Sequence, residues 1–216
     1  MNKKLFALAA LLLCSFSLFM SSCTDTEDNT VDEEWKAYNE TIVKETAAKL
    51  TADGKKEYKE RQSLTKNGFM YWKDTDFFDL EDAKYNRETA STKITSTETP
   101  YVTDSVLVRY EGWYFLKDGT KYIFDSTEGD YNSQAGRPFS LSSIAQGGVM
   151  AWVDMLLYMH EGDAVEVCIP YQLGYGATGN YSSLGVQTIP GYTTLWFRIK
   201  LLKIYADNEG EFSKSN

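Results

Sequence analysis

Apolar residues recur at two different periods along this chain. Early on, Trp35, Tyr38, Ile42 and Leu50 return near helical spacing, and Gly54 suits a helix end. The charged stretch KKEYKERQSL, residues 55–64, also predicts helix. Two interpretations of this region stay open: a solvated helical spacer, or a helix used for dimerisation or docking. Asn67-Gly68 then introduces FMYW, residues 69–72, as a first strand. Residues 73–100 are polar and predict a long loop or irregular insertion. From residue 101 the period becomes two. Val106, Val108 and Tyr110 share one face, as do Val165, Val167 and Ile169, and again Leu195, Phe197, Ile199 and Leu201. Between these strands, GGVMAWVDMLLYM (147–159) is the apolar helix candidate, with Val149, Trp152, Leu156 and Met159 on one face. Several antiparallel strands with one central helix predict an α+β domain. All four prolines lie at or after Pro100, which sets this domain apart from the charged first third.

The start of the chain has the pattern of an address. Lys3 and Lys4 precede the apolar run of residues 5–20, and Ser21-Ser22-Cys23 follows. This predicts a secretory signal over 1–22, and the small residues before Cys23 resemble a bacterial lipoprotein signal with lipid on Cys23. The alternative is an ordinary signal cut near Ser22, with Cys23 incidental. Residues 24–34 hold six acids and no base, a composition that stays solvated as a tether. The expected organisation is therefore a signal (1–22), then lipidated Cys23, tether and helical spacer (23–66). A folded domain (67–204) and a polar tail (205–216) follow. The expected location is the envelope of a Gram-negative bacterium, held at the outer membrane by lipid.

Composition removes several kinds of chemistry. Lys and Arg number 22 against 31 Asp and Glu, a net charge of -9, which argues against nucleic acid as partner. One histidine and three cysteines are too few for a histidine-rich metal site or a four-cysteine zinc site. His160 stands at a helix end beside Glu161, where a surface cap is the simpler role. Cys168 lies in an apolar strand and reads as packing rather than nucleophile. No carboxylate pair for glycoside chemistry is identifiable; Asp125 is the acid that stands out.

The ordered stretches VLVRYEG, FDST, RPFSL, GGVMAW, EGD, IPYQLGYGATG and IPGYTTLWFRIKLLKI carry more weight than any one of them. In this order and spacing the chain resembles the FKBP-type peptidyl-prolyl isomerases over roughly residues 101–204. The resemblance implies an antiparallel sheet of five to six strands wrapped around one central α-helix. It also implies a proline pocket. Tyr110, Phe124, Phe139, Ile189 and Phe197 would supply the walls, with Asp125 the acid after Phe124. Trp152 would be the floor. The Val149 N–H and the Tyr175 hydroxyl would donate to the substrate. Gly148 stands where the family usually has Val, which predicts a thinner wall. Arg137 is the shifted candidate to pair with Asp125, and residues 180–186 are an insertion in the loop over the site.

Such a pocket implies cis–trans isomerisation of X-Pro bonds with no metal or cofactor. The expected partners are proline-containing unfolded or exported polypeptides, macrolide inhibitors and, through Cys23, a membrane. A homodimer through the N-terminal helices is a further expectation. The alternative function is a peptide-binding or chaperone module with little turnover.

Overall fold

The computed structural model describes residues 33–85, 97–128 and 136–207. The signal, Cys23, the acidic tether up to residue 32 and the tail beyond residue 207 lie outside the described residues.

In chain order the elements are α1 (Glu33–Ala48), β1 (Lys59–Gln62), β2 (Phe69–Asp74), α2 (Phe77–Lys84), β3 (Ser105–Phe115), β4 (Lys121–Ser126) and β5 (Arg137–Ser140). Then come α3 (Leu141–Gly147), α4 (Met150–Leu156), β6 (Ala164–Ile169), a 3-10 turn (Tyr171–Leu173), β7 (Asn180–Tyr181), β8 (Gln187–Ile189) and β9 (Leu195–Tyr205). Seven strands form one antiparallel sheet in the order β1-β2-β6-β9-β3-β4, with β5 paired to β3. β7 and β8 form a separate hairpin. The α+β class with a helix against an antiparallel sheet is what the sequence implied. The sheet has seven strands rather than five to six.

Alternation on β3, β6 and β9 gives the sheet two distinct faces. Val106, Val108, Tyr110, Val165, Val167, Ile169, Phe197 and Ile199 point inward and pack with α4 into the main core. Every residue of α4 after Met150 is buried; apolar packing covers most of the helix, and the buried Asp154 accepts from Ser63 Oγ at 2.6 Å and Leu64 N at 3.0 Å. The apolar run predicted as one helix over 147–159 is in fact shorter. Gly148 is extended, Val149 caps α4, and the helix ends at Leu156.

Three expectations for the first hundred residues are corrected. Residues 55–64 are not helical. Gly54 turns the chain at φ +78, and Lys59–Gln62 becomes an edge strand on β2. Its charged residues suit a sheet edge, where they discourage further pairing. The polar stretch 73–100 contains α2, held by contacts that no local pattern announces. Phe78 is fully buried, and Asp82 is buried and bonded to Arg109 of β3. Finally, residues 33–66 are not a solvated spacer. They belong to the same compact unit as the domain, which begins at Asp32. α1 buries Trp35, Asn39 and Thr46 against it, the docking alternative realised within one chain.

Candidate active site

The inward face opens into a cavity of about 190 Å³ beside α4. It is lined by Tyr110, Phe124, Asp125, Phe139, Ile144, Gly148, Val149, Trp152, Tyr175 and Phe197. Eight of the nine pocket residues expected from the sequence are on this lining. Ile189, the ninth, is buried in the core at the end of β8 rather than on the lining. It supports the hairpin base instead of forming a wall.

Local backbone features aim these side chains. The β3–β4 register runs from Gly112↔Asp125 to Trp113↔Ile123, which leaves Phe124 without a partner of its own. Strict alternation would send Phe124 and Asp125 to opposite faces. The bulge lets both reach the cavity. Gly112 lies beneath them: a Cβ there would stand 2.7 Å from the Phe124 ring and 2.8 Å from Phe197. The pocket base therefore needs a residue without a side chain.

The rings meet edge to face. Phe139 and Trp152 have centroids 5.1 Å apart at 73°, Tyr110 and Trp152 5.7 Å at 77°, and Phe124 and Phe197 5.6 Å at 83°. This geometry suits the ring quadrupoles and holds each ring against its neighbours.

At the rim, the Tyr110 hydroxyl donates to Asp125 Oδ2 at 2.5 Å. Arg137 Nη1 donates to the same hydroxyl and to Asp125 Oδ2, the latter at 3.2 Å. The shifted Arg137 thus does pair with the acid. Burial, reinforced by the bond to Asp125, raises the Tyr110 hydroxyl well above the ordinary tyrosine range, so it stays protonated. Burial, then the charge of Asp125, likewise raises Tyr175.

Two donors on the lining are uncommitted. The Val149 N–H precedes the first turn of α4 and takes no partner among the described residues. The Tyr175 hydroxyl has none there either, while its carbonyl accepts from Gly179 N at 3.1 Å. The Trp152 indole N–H is buried and also unpaired among the described residues. The two uncommitted donors on an aromatic lining are a ready template for a carbonyl-bearing guest.

Ile144 on α3 is the lining residue that sequence reasoning missed. A Cβ on Gly148 would stand 2.9 Å from Ile144 Cγ2. The wall expected to be thin at Gly148 is therefore filled by Ile144, whose size and position one turn away compensate. The signal was present as a pairing: a glycine where bulk is usual, four residues after a β-branched apolar residue. His160 does not cap the helix as expected: α4 ends at Leu156, and His160 lies in the turn beyond it, with Nδ1 3.1 Å from Asp163 Oδ2. Cys168 is buried on the outer face of the sheet, far from any role at this lining.

Comparison with known proteins agrees with this geometry. The model of the FKBP-type peptidyl-prolyl cis-trans isomerase domain matches residues 96–202. The macrophage infectivity potentiator of Trypanosoma cruzi is 34% identical over 113 residues, covering 51% of this chain and 48% of that protein. The FkpA isomerase of Buchnera aphidicola is 33% identical over 103 residues, 47% of this chain and 34% of that protein. The chain thus spans half or less of the length of these two relatives. The FK506-binding protein of Neisseria meningitidis serogroup C is shorter: 33% identity over 100 residues takes in 79% of it and 46% of this chain. A crystal structure of a peptidyl-prolyl cis-trans isomerase from Pseudomonas syringae pv. tomato shares the fold, with a TM-score of 0.50 and 19% identity over 81% of this chain and 96% of that one. With the domain model across β3 to β9 and a relative matched over most of its length, the chain belongs to the FKBP-type peptidyl-prolyl cis-trans isomerase family.

Proposed function

We propose that the cavity binds X-Pro segments and speeds their cis–trans exchange. The observation that carries this is the combination at one lining: an edge-to-face aromatic wall with two uncommitted donors, the Val149 N–H and the Tyr175 hydroxyl. Rotation about the prolyl amide has an uncatalysed barrier of about 18–20 kcal/mol because resonance is lost at the twisted geometry. The twisted amide separates less charge than the planar one. Phe124, Trp152 and Phe197 offer it a dry, apolar enclosure, which suits the twisted state better than the planar one. The Val149 N–H and the Tyr175 hydroxyl hold flanking carbonyls so that the prolyl ring alone turns. Asp125, fixed by Tyr110 and Arg137, faces the edge of that enclosure. The gain comes from binding the twisted state more tightly than the planar one, and each 1.4 kcal/mol so gained is about tenfold in rate.

The test is isomer exchange of an Ala-Leu-Pro-Phe peptide by the folded protein, with an FK506-type macrolide as competitor. Exchange well above the buffer rate, suppressed by the macrolide, is the expected result. A folded sample no faster than buffer overturns the proposal, and macrolide binding without turnover would leave a peptide-binding module in its place.

The same proposal takes the clients to be exported, proline-containing polypeptides, with the chain lipidated at Cys23 and held in a bacterial envelope. The support is the sequence pattern of Lys3, Lys4, the apolar run and Ser21-Ser22-Cys23. Labelled palmitate should enter the protein in a bacterial host and be lost in Cys23→Ala.

A further inference from the structure

α1 lies outside the stretch matched by the family, yet it touches the loops that carry the site. Trp35 Nε1 donates to Gly191 O at 3.0 Å and to Thr193 Oγ1 at 3.1 Å. One turn later, the Asn39 side chain donates to Trp35 O at 2.9 Å, which fixes its orientation. Its oxygen then accepts from Thr194 N at 2.7 Å, and Thr194 Oγ1 donates back to Asn39 O at 3.1 Å. Asn39 and Thr194 are each 1% exposed. Four hydrogen bonds in a dry place thus tie two turns of α1 to residues 191–194.

Residues 189–194 are in turn locked to the loop that bears Tyr175. Tyr192 N donates to Gly176 O at 2.9 Å. Gly191 packs backbone to backbone on Ala177, and Gly179 on Ile189; a Cβ at either glycine would collide with the facing carbonyl. Tyr192 is held at φ +59, a left-handed geometry unusual for a tyrosine. Its ring lies 5.0 Å from Tyr171 and 5.4 Å from the Lys36 ammonium of α1. Such a residue keeps that backbone only where its surroundings enforce it.

We propose that Trp35 and Asn39 are positioning residues for the isomerase site. Through them α1 clamps the paired loops 171–179 and 189–194 and presets the Tyr175 hydroxyl. The inference rests on the isomerase function proposed above. A donor preset before the peptide arrives avoids the ordering cost that a loose loop pays on binding. The helix thereby becomes part of the catalytic unit rather than a leader to it.

The experiment uses Trp35→Phe and Tyr175→Phe, singly and together, in the protein from residue 24 onward. Trp35→Phe leaves a six-membered ring beside Tyr38 and Tyr114 and removes the N–H together with the rest of the pyrrole ring. It should lower kcat/KM about five- to tenfold while the fold, checked by near-UV dichroism, is retained. Tyr175→Phe should cost about fivefold in the parent and under twofold in the Trp35→Phe background, because an unpositioned hydroxyl has little left to lose. Equal costs in both backgrounds, or an unchanged rate in Trp35→Phe, overturn the clamp. Amide exchange gives a readout that does not need turnover. The N–H groups of Gly176, Gly179 and Tyr192 should exchange at least tenfold faster in Trp35→Phe, with β6 unchanged; unaltered exchange at these three groups overturns the clamp. Should the parent show no isomerase activity, the proposed function fails, and exchange alone decides the clamp.

Discussion

The two faces of the sheet use the same aromatic vocabulary for opposite ends. On the inner face, Tyr110, Phe124 and Phe197 surround an open cavity with uncommitted donors. On the outer face, Trp113, Trp196, Tyr58 and the thiol of Cys168 form a second cluster under α1. A cavity of about 330 Å³ also lies there, lined by Tyr38, Ile42, Glu45, Thr46, Lys49, Tyr58, Phe115 and Trp196. What differs is the treatment of charge. Across the outer face Lys73, Glu166, Arg198 and Glu111 stand directly opposite one another on β2, β6, β9 and β3. They are joined at 3.5, 2.9 and 3.4 Å. Tyr58 donates its hydroxyl into this row, to Glu166 at 2.9 Å. Cross-strand opposite charges stabilise pairing and register. The inner face spends its polar groups at the rim and leaves its donors free. Aromatic content alone therefore does not mark a site; what marks it is whether the polar atoms beside the rings are already used.

Four measurements would break or sharpen this contrast. The largest effect is expected at Arg109, which bonds Asp82 at 2.8 Å and Glu128 at 2.7 Å on the outer face. Burial works against its charge, but the bonds from Glu128 and Asp82 outweigh that and raise its pKa. Arg109→Met removes the cation that two buried carboxylates share and should cost about 3–5 kcal/mol in urea unfolding. Isomerase activity per folded molecule should stay near that of the parent; a selective loss of activity would mean the outer face reaches the chemistry. Next, Gly112→Val drives a side chain into the Phe124 and Phe197 rings. A stability cost of about 1–3 kcal/mol, typical of overpacking, is expected, together with loss of macrolide binding. Retained binding would show that the pocket base can yield.

A smaller effect follows from pH. Burial, followed by the neighbouring carboxylates Asp125 and Glu166, raises the hydroxyls of Tyr110 and Tyr58 above the ordinary value of 10.0. A phenol that holds its proton more tightly when folded contributes stability that is full below pH 10 and is lost as pH climbs above it. Stability should thus decline above pH 10 by about 1.4 kcal/mol per unit for each such tyrosine. Tyr110→Phe and Tyr58→Phe should each flatten the decline, and an unchanged slope in both variants would refute the assignment. The smallest effects come from the paired deletions Tyr58→Phe and Tyr175→Phe. The first should cost about 1 kcal/mol of stability and no activity. The second should leave stability within about 0.5 kcal/mol and slow exchange about fivefold. An exchange of roles between the two would reverse the contrast drawn here.

The inner face was largely legible in the sequence because its residues sit on long strands with clean alternation, in an order the family shares. Tyr110, Phe124, Trp152 and Phe197 follow from that order, and all four lie on the lining. Ile189 lies in the core at the end of β8 and not on the lining, since period two says which face a residue takes and not how deep it lies. The bulge at Phe124 was hidden for the same reason. The outer layer was mostly illegible. Lys59–Gln62 is a strand only because β2 offers it an edge, and α2 holds by Phe78 and by the ion pairs Asp82–Arg109 and Asp79–Lys200. Such elements owe their state to partners far away in sequence, and propensity favours another state for them. α1 was legible as a helix, while its docking through Trp35 and Asn39 was not.

The backbone contacts of Gly179 on Ile189 and Gly191 on Ala177 have an evolutionary corollary. They close the chain on itself just before and just after the β7–β8 hairpin, like a knot at the neck of a balloon. Beyond that neck the hairpin reaches back to the Tyr175 loop where Gln187 Nε2 donates to Thr178 O at 3.3 Å, so changes confined to its tip should leave Tyr175 in place. Leu184 at its tip is almost wholly exposed, so its identity is under no packing constraint from the domain. The hairpin is thus a natural graft point, where a lineage or an engineer could append a new recognition module to an unchanged catalytic fold.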